Sequence, residues 1–116
     1  MNGMEWRLRR IMKKETGRSL VIAVDHGMAL GPMSGINDLK GTVTALDATG
    51  CVDAWLITKG MYTHSFETDG SPGIIMRASG AATIAGPDLC HEGITSSVEE
   101  ALSLGADAVA VSAFIG

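Results

Sequence analysis

The chain has 116 residues, 46% of them hydrophobic but only 4% aromatic, so a core must be assembled from Ala, Val, Ile, Leu and Met. A net charge of −4 gives no electrostatic reason to expect nucleic acid or an anionic membrane as partner, and no apolar run approaches the roughly 18 residues of a membrane span. Two cysteines, Cys51 and Cys90, have neither the count of a disulfide framework nor the spacing of a zinc site, which fits a reduced, cytoplasmic chain.

In chain order, Met4, Leu8, Ile11 and Met12 share one face of a helix predicted over residues 4–14, with Gly17 as its stop. The basic cluster that alternates with and follows them, Arg7, Arg9, Arg10, Lys13, Lys14 and Arg18, reads as a solvated helix face. The run 19–24 is apolar without alternation, as expected of a strand covered on both faces in a parallel sheet. Asn37 is placed to cap a second helix carrying Leu39, Val43 and Leu46, ended by Gly50. A strand is predicted over 52–58 and another over 73–78. The polar stretch 61–72 between them is too short for a long covering helix with its loops. Ser96 and Glu99 make a capping box for a helix with Val98, Ala101 and Leu102, stopped by Gly105, and a fourth strand is predicted over 107–115.

The segments TGCVDAWLITKG (49–60) and LGADAVAVSAFIG (104–116) echo each other: a helix-stop Gly, an Asp-Ala pair, an apolar strand, a closing Gly. Alternation of strand and helix argues for βαβ units with parallel strands. That leaves an open doubly wound sheet or a TIM (β/α)8 barrel, and both bind ligands at the carboxyl ends of their strands.

The chemistry-bearing residues collect at those ends: Asp25 and His26 after the first strand, Lys59 after the second, Arg77 and Ser79 after the third, Ser112 in the fourth. Asp25 could bond substrate hydroxyls or transfer a proton, or it could be a structural carboxylate ordering the loop. His26, its neighbour on an extended chain, must point the other way. Gly27, Gly31 and Pro32 suit a tight loop that brings backbone near a ligand. Lys59 could attack a carbonyl if desolvated, or serve as a surface or phosphate-contacting lysine. His64 and His91 lack metal-ligand spacing, and Ser79 lies in no GxSxG context. Neither a Walker nor a GxGxxG spacing occurs, so no nucleotide, metal or other cofactor is expected.

RRIMKKETGRSLVIAVDHGMALGPMSGINDL, followed by LITKG, RASG, SSVEEALSLGADAVAV and IG, resembles the N-terminal part of the archaeal-type class I fructose-bisphosphate aldolases. The relatives of that family include 2-amino-3,7-dideoxy-D-threo-hept-6-ulosonate synthase and the autoinducer-2 phospho-aldolase/thiolase. The DHG…GP segment is the most specific motif, and IIMRASG is most similar to the autoinducer-2 branch. The resemblance spans nearly all of residues 1–116 and implies the first four or so βα units of one TIM barrel, an incomplete domain. It implies Schiff-base carbon–carbon bond chemistry on phosphorylated keto compounds, with Asp25 acting at the substrate and His26, Gly27, Lys59 and Arg77 lining its site. A homo-oligomer is implied for the full-length enzyme.

One departure is large. The family's imine-forming lysine lies on a strand near the sixth, its acid/base tyrosine on the strand before, and its phosphate loops after the seventh and eighth. Tyr62 and Lys59 match neither group, so the chain alone is expected to be inactive. A self-standing, non-catalytic βαβ module is the alternative, and a shortened enzyme using Lys59 as nucleophile is a third reading.

Overall fold

A computed structural model describes residues 1–80, 82–88 and 90–116. Its centre is a four-stranded parallel sheet of β1 (Val21–Ala23), β2 (Ala54–Thr58), β3 (Gly73–Arg77) and β6 (Ala108–Ala110), in the order β1-β2-β3-β6. The four barrel-type strands therefore lie side by side in sequence order, with β1 at an edge. A doubly wound sheet would place its first strand inside. The register aligns Ile22 with Trp55, Trp55 with Ile74, and Met76 with Ile57 and Val109.

Period-two alternation within these strands makes two unequal faces. Trp55, Ile57, Ile74 and Met76 point to one face and are buried with Val24, Leu39, Val43, Ala101 and Ala106 in a single cluster. Leu39 and Val43 come from α3 (Leu39–Asp47), and Ala101 comes from α5 (Val98–Ser103). Trp55 is the largest member. It meets Phe66 edge-on at 5.9 Å, and its indole N–H donates to Asp47 at 3.1 Å, so its one polar atom stays satisfied inside the core. On the other face Leu56, Ile75 and Arg77 are only half-buried. In a closed barrel this is the row that packs inward.

The helix ends correct several expectations. The cap of α3 is Asp38, whose carboxylate accepts the Gly41 N–H at 3.1 Å; Asn37 lies one residue too early. The box before α5 is Ser97 with Glu100, both bonds being 3.0 Å, not Ser96 with Glu99. Ser96 is buried instead. The fourth strand pairs only over Ala108–Ala110, much shorter than 107–115. Between β2 and β3 there is no long covering helix but a short one, α4 (Lys59–His64). A two-residue antiparallel ribbon, β4 (Ser79–Gly80) with β5 (Gly93–Ile94), and a single turn, α2 (Gly27–Leu30), had no counterpart in the sequence reading.

The first helix, α1 (Gly3–Ile11), starts from a capping box of Asn2 and Glu5 and buries none of its residues. Its basic residues are not simply solvated. Arg7 donates to the Ala106 carbonyl at 2.6 Å, Arg10 lies 3.5 Å from Asp107, and Lys13, just past the helix end, lies 3.3 Å from Asp53. The helix thus lies across the amino ends of the strands. Gly73 permits the approach: a Cβ there would stand 2.9 Å from the Arg10 carbonyl oxygen.

The repeated Asp-Ala now has a physical reason. Asp53 accepts the Leu20 N–H at 2.7 Å and returns its own N–H to the Leu20 carbonyl at 3.0 Å. Asp107 does the same with Ile74, at 2.9 and 2.8 Å. Each aspartate ties the start of its strand to the start of the preceding neighbour.

Candidate active site at the carboxyl ends of the strands

The apolar run ends where the backbone leaves the sheet. Val24 N–H still bonds the Leu56 carbonyl at 2.9 Å, and after it Asp25 and His26 turn into α2. Asp25 keeps the parity of Ala23, on the inner face, and is buried with 7% of its surface exposed. His26 leads into α2 in helical conformation, its side chain in solvent and its Nδ1 4.0 Å from Asp25 Oδ1. Gly31, at φ 74°, ends the turn in a backbone region that a side chain disfavours.

Arg77, the last residue of β3, reaches across the strand ends to Asp25. Its Nη1 donates to Asp25 Oδ2 at 3.0 Å, its Nη2 to Glu92 Oε1 and Oε2 at 3.0 and 3.2 Å and to Ser112 Oγ at 2.5 Å, and its Nε to the Ser79 carbonyl at 3.0 Å. Ser79 closes the group, donating to Glu92 at 2.8 Å and accepting the Ser112 N–H at 2.9 Å. Burial alone would push the Glu92 carboxyl upward. Hydrogen bonds from Ser79, Ser112 and Arg77, together with the guanidinium charge, outweigh it and hold the group below its ordinary range. Among the described residues no hydrogen bond reaches Asp25 Oδ1.

Asp25, Arg77, Ser79 and Ser112, all noted from sequence, are therefore brought together, while Glu92 was missed. It comes from the polar stretch before β5, where no periodicity distinguishes a buried carboxylate from a solvated one. The β4–β5 ribbon delivers it. Gly80 lets that ribbon sit against α2, since a Cβ there would stand 3.2 Å from the Met28 sulfur.

Lys59 is not in this group. As the first residue of α4 it pairs with Glu100 of α5 at 3.3 Å, on the helical side of the sheet. The Ser97 N–H and then Lys59 lower the Glu100 carboxyl. Tyr62 donates to the Leu104 carbonyl at 3.1 Å. His64 and His91 are exposed, as are the free thiols of Cys51 and Cys90. Among the described residues no cluster suited to a metal ion occurs, and no helix is long and apolar enough to cross a membrane. A cavity of about 490 Å³ lies between Gly27, Met28 and Met33 on one side and Thr58, Gly60 and Met61 on the other, and it is not lined by Asp25, Arg77, Ser79, Glu92 or Ser112.

What this arrangement offers is a carboxylate bonded through one oxygen, with no hydrogen bond to the other among the described residues, at the end of the sheet where barrel enzymes work. Known proteins agree in sequence and shape. The 3-hydroxy-5-phosphonooxypentane-2,4-dione thiolases of Yersinia enterocolitica and of an Enterobacter species are each 32% identical over 98% of this chain, which spans 38% of their length. A solved Schiff-base-forming fructose-1,6-bisphosphate aldolase superposes with a TM-score of 0.75 at 29% identity, over 95% of this chain and 44% of its own. An archaeal fructose-1,6-bisphosphate aldolase, captured with its catalytic lysine bound to a carbinolamine intermediate, gives 0.74 at 29% identity, over 95% and 43%. The sheet of sequential parallel strands is accordingly part of an α/β barrel of the TIM type. The profile of the DeoC/LacD family aldolases matches residues 19–116, and the chain belongs to that family.

Proposed function

We propose that this chain supplies the Asp25-bearing wall of a class I aldolase that makes or breaks a carbon–carbon bond in a phosphorylated keto compound through a lysine imine. The observation that carries the reading is the buried Asp25 carboxylate at the carboxyl end of β1, which among the described residues is hydrogen-bonded through Oδ2 alone. An acid or base so placed can exchange a proton with a substrate hydroxyl as the bond breaks. The names of the similar proteins support the substrate class, phosphorylated ketones such as fructose 1,6-bisphosphate or 3-hydroxy-5-phosphonooxypentane-2,4-dione. His26 and Gly27 border the same space, and Lys59 and Arg77 stand at neighbouring strand ends.

The imine lysine is proposed to lie outside these 116 residues, in the remainder of a single barrel domain. Of the four lysines, Lys59 is ion-paired to Glu100, Lys13 to Asp53 at the opposite end of the sheet and Lys40 to Glu67, and Lys14 is exposed in the turn that follows α1. None of these serves the Asp25 group. A cytoplasmic homo-oligomer belongs to the same proposal, and sedimentation of the complete enzyme checks its assembly.

Borohydride reduction in the presence of dihydroxyacetone phosphate tests the assignment. The 116-residue chain is expected to take up no adduct, and the complete barrel to take up one at a lysine beyond the chain. An adduct on Lys59 would overturn the assignment.

A further inference from the structure

Arg77 stands where a substrate phosphate would be expected to find a cation, yet the geometry argues against that use. All three of its guanidinium nitrogens already donate: Nε to Ser79, Nη1 to Asp25, Nη2 to Glu92 and Ser112. Its side chain is 18% exposed, and those of Asp25 and Glu92 are 9% and 11% exposed. One guanidinium thus faces two carboxylates in a largely desolvated place, so the group as a whole repels a further anion. The planar fork fits two carboxylates at once, which an ammonium could not do. Nor is the site floppy: Glu92 is fixed by Ser79, and Ser79 by the Ser112 backbone, so the guanidinium is anchored from β4, the residue before β5 and the segment after β6.

We infer that Arg77 and Glu92 are positioning residues: Glu92 fixes the Arg77 fork, and the fork turns Asp25 so that Oδ1 meets the substrate, whose phosphate binds elsewhere. This rests on the function proposed above and deepens it. It assigns the space at Asp25 Oδ1 to the uncharged, hydroxyl- or carbonyl-bearing part of the substrate.

The test is a kcat-against-KM split in the complete barrel containing this chain, for Arg77→Lys and Glu92→Gln, with inorganic phosphate as competitive inhibitor. Glu92→Gln keeps the size of the side chain and an acceptor for Arg77, so it reports even if the Arg77 variant folds poorly. Both are expected to lower kcat on the order of tenfold or more, since misplacing a reacting group by about 1 Å can cost roughly a hundredfold. KM and the inhibition constant of phosphate should stay within about twofold, because no phosphate contact is lost. A rise in both constants of about tenfold at constant kcat would make Arg77 a phosphate receptor and overturn the inference. Full kcat in Glu92→Gln would overturn it alone. A wild-type barrel that turns over neither phosphorylated ketone would sink the functional reading and this inference with it.

Discussion

The two ends of the sheet use the same residue types for opposite purposes. At the amino ends, Asp53 and Asp107 each accept a backbone N–H from the neighbouring segment and return one, while Arg7 and Arg10 approach from α1 and Lys13 from just after it. At the carboxyl ends, among the described residues, the Asp25 carboxylate accepts no backbone N–H, and its hydrogen bond comes from a side chain, Arg77. A carboxylate that satisfies strand amides is committed to holding the strands together. A carboxylate held by one side chain, with an oxygen to spare, remains available to a ligand. The division matches what a parallel barrel imposes, with stability concentrated at one end and chemistry at the other.

The contrast can be broken most strongly at Asp107. Its side chain is fully buried, and removing it strands the Ile74 N–H and the Arg10 contact. Asp107→Ala should cost about 2 kcal/mol in urea unfolding, the usual penalty for an orphaned buried donor. A loss below roughly 0.5 kcal/mol, the level of an ordinary surface substitution, would deny the amino end its structural role.

Gly73→Ala probes the same end more gently. The added methyl would meet the Arg10 carbonyl oxygen at 2.9 Å, and backbone does not yield as a flexible side chain would. An overpacking loss of roughly 1–2 kcal/mol is expected, with α1 displaced from the strand ends. Amide exchange in residues 3–12 reads that displacement directly; unchanged protection there would show that α1 does not depend on the fit.

The smallest expected effect is on the acid side. The Asp53 carboxyl is lowered first by the Leu20 N–H and then by Lys13. Its folded pKa lies below its unfolded one, so its contribution to stability is present above the ordinary carboxylate range and is lost as pH falls through the folded value. Asp53→Asn should therefore flatten the fall of the thermal midpoint between neutral pH and about pH 3. An equally steep fall in the variant would assign the acid sensitivity to other groups.

Much of this contrast was legible in the sequence, and the rest failed for identifiable reasons. The strand–helix alternation gave parallel strands but fitted a doubly wound sheet and a barrel alike, and the family resemblance pointed to the sequential order; the change from an apolar run to Asp25-His26-Gly27 pointed to the candidate site. The Asp-Ala echo was visible as a pattern, but only the cross-strand amide bonds of Asp53 and Asp107 explain it. SSVEE carries two overlapping capping boxes, Ser96 with Glu99 and Ser97 with Glu100, and local chemistry accepts either register. Packing decides, because it buries Ser96. Asn37 and Asp38 pose the same choice at α3. Glu92 was invisible because the ribbon that carries it has two residues per strand, too few for any periodicity, and its partners lie 13 to 20 residues distant along the chain at Ser79 and Ser112.

The account turns on Asp25 being held for chemistry and not for the fold, and the turnover of Asp25→Asn in the complete barrel tests that most directly. The variant keeps the shape and an acceptor for Arg77 Nη1, so its urea midpoint should stay close to wild type. Its kcat with a phosphorylated ketone should fall at least about a hundredfold, as loss of a general acid or base does. Wild-type turnover in Asp25→Asn would contradict the account and leave Asp25 a structural carboxylate like Asp53 and Asp107.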